Sequence, residues 1–168
     1  MVPALSGCDS SSALYYRITT DLETEGSPFQ LEVVVQCRNM QVLRSGAGAR
    51  LSYLQRPYLY GRPTAAGHAV LMRVPDFCGM LDSANERVKA ALERFEKEGP
   101  GLPLVLWVPD KDVLDHMTAY TSLKGYEGPG STLRYRGTRF ARATQEEWQT
   151  WMQREEEPFV TRANDPVF

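Results

Sequence analysis

The side chains able to do chemistry in this 168-residue chain are few: three cysteines, two histidines and small clusters of carboxylates, arginines and aromatic rings. Cys8 closes the tetrapeptide Leu5-Ser6-Gly7-Cys8, with Asp9 and Ser10-Ser11-Ser12 behind it. Small residues ahead of a cysteine let a signal peptidase cut there once the thiol is diacylated. The stretch therefore has the form of a bacterial lipobox, and Cys8 is the expected lipidation site. A full export signal also carries a basic region and an apolar region of about 7–15 residues. Only Met1-Val2-Pro3-Ala4 precedes the box, so the given chain lacks a complete signal peptide and an apolar leader is expected upstream in frame.

If Cys8 carries lipid, Cys37 and Cys78 remain, and an even remainder in an exported chain predicts a disulfide between them. Closing such a loop contributes about 4 kcal/mol in the chain-entropy model. The alternative is two buried free thiols, since unpaired cysteine behaves as a small core hydrophobe.

The remaining reactive groups do not assemble into a known machine. The chain has no G-x-S-x-G elbow, H-E-x-x-H, paired C-x-x-C or Walker motif. His68 with Cys78 has the residue types of a thiol–imidazole pair. His68 falls in a predicted strand, however, where a structural role is the expectation. Asp110, Asp112 and Asp115 resemble a calcium loop only superficially, because the required glycine and terminal glutamate are missing. A solvated helix start accounts for them better. No catalytic, cofactor-binding or metal-binding residue is assigned, and the chain is expected not to be an enzyme.

Its surface residues suit protein binding instead. Tyrosine and arginine are enriched at interface hot spots, where they bury much area and add directed hydrogen bonds. Tyr58, Tyr60 and Arg62 lie on the proline-bracketed segment 56–63, and Tyr120 and Tyr126 lie near the glycine-rich stretch 125–130. These five are the expected partner-binding residues, the alternative being that the rings tuck back onto the core. Arg134, Arg136, Arg139 and Arg142 form a basic run suited to an acidic partner or to an ordinary solvated edge.

The composition, 42% hydrophobic and 24% charged, suits one globular domain with a real core. A net charge of −2 gives no drive toward nucleic acid, so none is expected as partner. No apolar run reaches the roughly 18 residues of a bilayer span. Membrane attachment is expected through Cys8 alone.

These residues must be positioned by an α+β fold, mostly antiparallel sheet with two amphipathic helices packed on it. Residues 1–12 read as lipobox remnant and tether, 13–155 as a single α+β domain and 156–168 as a peripheral tail. Residues 14–22 alternate, with Leu14, Tyr16, Ile18, Thr20 and Leu22 on one face. Turn chemistry at Glu25-Gly26-Ser27-Pro28 leads into a second alternating run, 29–40, with Leu31, Val33, Val35 and Cys37 inward. Together they predict a hairpin. Segment 56–63 is expected at an exposed or edge position because prolines bracket it, and 68–74 is a third strand. Ser83 and Glu86 predict a capping box opening a helix that carries Val88, Ala91, Leu92 and Phe95 and ends at Gly99-Pro100. The apolar run 102–108 predicts a central strand covered on both faces. Residues 110–122 are a short helix or ordered loop, 125–130 a turn, and 132–142 a strand with a bulge at Gly137. Thr144 and Glu147 predict a second capping box, opening a helix with Trp148, Trp151 and Met152 on one side.

A lipobox-anchored α+β chain of this size, with Leu5-Ser6-Gly7-Cys8, one expected disulfide, no catalytic motif and a tryptophan-bearing last helix, resembles the small lipoproteins that serve as immunity proteins in bacterial type VI secretion, especially those neutralising lipase effectors. The resemblance implies a periplasmic inhibitor, held by acylated Cys8, that binds a secreted toxin. Asp9 resembles an inner-membrane retention signal, which implies the periplasmic face of that membrane. The alternative function is an envelope lipoprotein with an assembly or small-ligand-binding role.

Overall fold

In the computed structural model, which describes residues 13–43, 49–113, 115–154 and 159–160, the alternation over Leu14–Thr24 forms strand β1 and the chain returns through β2, Ser27–Leu43. Glu25 (φ 56°) and Gly26 (φ 74°) both take left-handed dihedrals, as in the type I′ turns whose twist matches a two-residue hairpin. Strands β3 (Ala49–Arg56), β4 (Leu59–Pro63) and β5 (Ala69–Arg73) follow, then helices α1 (Cys78–Leu81) and α2 (Glu86–Glu98). The rest is β6 (Val105–Val108), β7 (Thr118–Tyr120), α3 (Leu123–Glu127), β8 (Leu133–Arg142), α4 (Gln145–Met152) and β9 (Phe159–Val160).

Two antiparallel sheets result, one ordered β3-β2-β1-β8 and the other β7-β6-β5-β4-β9. The first buries Tyr16, Ile18, Leu22, Leu31, Val33, Val35, Leu133 and Phe140, and the second contributes Tyr60, Val70, Met72 and Val105 to the same core. Thr20 reaches across between the sheets, with its Oγ1 3.1 Å from Met72 Sδ and 3.2 Å from Thr138 Oγ1. A main core shared by both sheets, beside a smaller cluster of Ala69, Leu71 and Val108, makes this a single α+β domain, as the sequence pattern predicts.

Val34 and Gln36, on the opposite face of β2, are buried as well. The reason is α4, which packs against that face. Arg17 and Glu147 pair at 2.8 Å, Tyr15 and Trp148 approach to 6.0 Å between ring centres, and Trp151 Nε1 donates to the Glu32 carbonyl at 2.9 Å. The alternating strand is therefore covered on both sides for part of its length. Helix α2 covers the inner face beside β8, where Phe95, Phe77 and Phe140 stack in turn.

Cys37 and Cys78 are disulfide-bonded, with Cα atoms 5.3 Å apart, tying β2 to α1. The expected bulge is present: the β1–β8 register shifts between Asp21 and Leu22, opposite Gly137 and Tyr135. The Thr144–Glu147 capping box forms in full.

Other expectations need correction. Helix α2 is capped by Asn85, whose side chain accepts from Arg87 N, while Ser83 accepts from Asn85 N. Asn85 is also a strong cap former, and it lies directly against the helix start. The strand expected over 102–108 does lie inside the second sheet, between β7 and β5, but it is only four residues long, with Leu106 and Trp107 half-buried. Stretch 125–130 contributes to α3 rather than to a turn alone. Segment 56–63 yields β4, which pairs with β5 along its length and with β9 only at Tyr60 and Gly61. Within the expected tail 156–168, Phe159–Val160 thus join the second sheet. Cys8 and Asp9 lie outside the described residues.

Candidate functional site

The connection from the first sheet to the second runs through a cis Arg56–Pro57 bond to Tyr58. Pro57 is buried, and the Tyr58 carbonyl accepts the Val74 N–H at 3.0 Å, which fixes the backbone on both sides of the ring. Tyr58 is nevertheless 43% exposed. The guanidinium of Arg73, also exposed, lies 5.4 Å from its ring centre, a cation–π pair worth about 0.5–1 kcal/mol at an exposed site. Arg73 has no carboxylate partner among the described residues. A preset ring and an exposed guanidinium side by side give a rigid, mixed aromatic and cationic surface.

The other expected partner-binding residues are placed differently. Tyr60 points inward, only 3% exposed, with its ring 5.4 Å from Trp151. Tyr120 and Tyr126 are buried and stack on each other at 4.8 Å, with Tyr135 beside Tyr126. Burial pushes the Tyr126 phenol well above its ordinary pKa. Arg62 caps the Phe29 ring at 5.9 Å and donates to the Gln30 carbonyl at 3.4 Å, joining the two sheets. Tyr60, Tyr120 and Tyr126 are therefore core residues, which is the alternative in which the rings tuck back onto the core. Arg62 is engaged within the molecule.

The basic run on β8 is likewise neutralised internally. Arg136 pairs with Glu23, Arg139 with Asp21 at 2.9 Å and Arg142 with Glu96 at 3.3 Å. Arg134 makes none of these pairs. It lines a cleft.

That cleft, about 250 Å³, opens at one end of the two sheets and is lined by Glu23, Glu25, Gly26, His68, Trp107, Ser131, Thr132 and Arg134. The hairpin tip builds one wall. Glu25 Oε1 meets His68 Nδ1 at 2.5 Å and accepts from Thr64 Oγ1 at 2.9 Å, and the His68 contact chiefly holds the Glu25 carboxyl below the usual carboxylate range. Arg136 does the same for Glu23, with Arg134 adding its field. The His68 and Trp107 rings lie 5.0 Å apart. Thr132 Oγ1 is 2.8 Å from the Tyr120 hydroxyl, and Ser131 Oγ donates to the Leu133 carbonyl at 2.6 Å. Both hydroxyls are thus tied down.

Glu25 occupies a left-handed position that glycine or asparagine fills at lower cost. Such strain concentrates at functional positions. The sequence offered little warning of this cleft, because its residues come from four separate segments and the only local signal is a glutamate in a positive-φ turn. His68 faces Glu25 rather than Cys78, whose sulfur is in the disulfide. Among Asp110, Asp112 and Asp115, Asp110 accepts from the Asp112 N–H and Asp115 pairs with His116. These are local turn contacts.

A disulfide between the first sheet and α1 fits folding in an oxidising, non-cytoplasmic compartment, and no helix among the described residues is long and apolar enough to cross a membrane. No family model matches the chain, no curated protein matches it, and no solved structure matches it.

Proposed function

We propose that this protein is an exported inhibitor that binds and neutralises a secreted antibacterial toxin in the periplasm, in the manner of type VI immunity lipoproteins acting on lipase effectors, with Cys8 as its membrane anchor. The observation that carries the reading is the Tyr58–Arg73 pair. A half-exposed tyrosine with its backbone fixed and its ring flanked by a guanidinium that has no carboxylate partner among the described residues is the residue chemistry of interface hot spots. Its order in the free protein lowers the cost of binding. Arg73 directs the surface toward a partner patch carrying carboxylates.

The reading is tested with purified protein and the product of a toxin gene beside its own. Tyr58→Ala lowers affinity by about 2 kcal/mol, roughly thirtyfold, with the fold intact. A toxin that binds the wild type and Tyr58→Ala equally well removes this surface from the account.

A further inference from the structure

The cleft at the hairpin tip is a separate matter from the Tyr58 surface. We propose that it is a binding site for an uncharged saccharide unit, held against Trp107 by the carboxylates of Glu23 and Glu25 and the guanidinium of Arg134.

Charge selects the ligand class. Glu23 and Glu25 on the lining face Arg134, also on the lining, and Arg136, which pairs with Glu23 from beside it, so these four side chains carry both signs of charge in equal number. Two carboxylates on the lining oppose a phosphate or sulfate. Arg134 on the lining, with Arg136 beside Glu23, opposes a cation. A neutral ligand rich in hydroxyls meets neither penalty and uses both signs, since carboxylate oxygens accept O–H donors and Arg134 donates to hydroxyl oxygens.

Shape and rigidity point the same way. At about 250 Å³ the cleft falls just below the roughly 300–1,000 Å³ of pockets for drug-sized ligands, a scale suited to one sugar ring. Trp107 supplies an aromatic wall, and its indole N–H is buried with no hydrogen-bond partner among the described residues. The acceptors are set before any ligand arrives, Glu25 by His68 and Thr64, Glu23 by Arg136. The strained left-handed backbone at Glu25 places its carboxylate on the lining. Nothing in the core requires a glutamate there.

The test is a titration of the isotope-labelled protein, disulfide intact, with glucose, galactose, mannose and N-acetylglucosamine, followed by backbone amide resonances and the Trp107 indole N–H. At least one of the four shifts Trp107, Gly26 and Thr132 saturably, with a Kd on the order of 1 mM. Glucose 6-phosphate and glucosamine bind at least about tenfold more weakly, a difference of about 1.4 kcal/mol. Arg134→Ala, at an exposed position, and the near-isosteric Glu23→Gln, at a partly buried one, keep a native spectrum and lose the saturable shifts. The proposal is overturned if none of the four sugars moves these resonances at up to about 50 mM, well above that Kd, or if the charged analogues bind as tightly as the neutral ones. Toxin binding and the Tyr58→Ala result play no part in this outcome, so either reading can fail alone.

Discussion

At the residue scale, the fold is most sensitive where backbone meets backbone. Gly99 closes α2 with φ 84°, and a Cβ placed there would stand 2.0 Å from the Thr138 carbonyl oxygen of β8. Gly99→Ala both strains the dihedral and forces the helix end off the sheet, so it costs more than about 1 kcal/mol. A lowered urea midpoint with unchanged slope shows this, and an unchanged midpoint contradicts it. The same scale shows what a sequence can hide. Cys37 was legible as a disulfide partner because its inward phase and the even cysteine remainder agreed. Tyr60, Tyr120 and Tyr126 were not legible as core, because tyrosine serves interfaces and interiors alike. Only their three-dimensional neighbours, Trp151 for one and each other for the remaining two, decide the matter.

At the element scale, β1, β2, β8, α2 and α4 were readable because each carries its own period and stop signals. The hairpin turn and the Thr144–Glu147 box are local chemistry, and both appear where the residues place them. Elements that depend on distant support were harder. The two-faced burial of β2 needs α4, which lies more than a hundred positions away in sequence, and the cleft needs the hairpin tip, the loop before β5, the strand β6 and the entry to β8 together. The capping box gives a direct test. Thr144→Ala removes the acceptor for the Glu147 N–H and lowers stability by about 1 kcal/mol. The Glu147 carboxyl is held below the usual carboxylate range, first by the Thr144 backbone N–H. Its contribution is therefore complete above the unfolded-state pKa and is lost as pH falls through the lowered folded value. Wild type is more stable than Glu147→Gln at pH 7, and the gap narrows toward pH 3. A gap that stays constant in urea titrations across that range contradicts the assignment.

At the scale of the whole molecule, the disulfide fastens the first sheet to α1 and, through α1, to the helix covering the core. Its 41-residue separation makes reduction costly. Cys37→Ser/Cys78→Ser, or wild type under reductant, loses roughly 2–5 kcal/mol, read from denaturant midpoints with and without reductant. The same bond ties structure to location, since a domain that needs it folds best where thiols oxidise. A disulfide-stapled domain presenting Tyr58 on a fixed loop, with Arg73 at the end of β5 beside it, is the basis for the inhibitor reading. The most direct measurement is survival of cells lacking this gene when they express, in the periplasm, the toxin encoded beside it. The account predicts that these cells die, that the wild-type gene restores growth, and that Tyr58→Ala restores it poorly despite normal protein levels. Unimpaired growth of the deletion strain with every neighbouring toxin candidate contradicts the account and leaves the envelope ligand-binding alternative in its place.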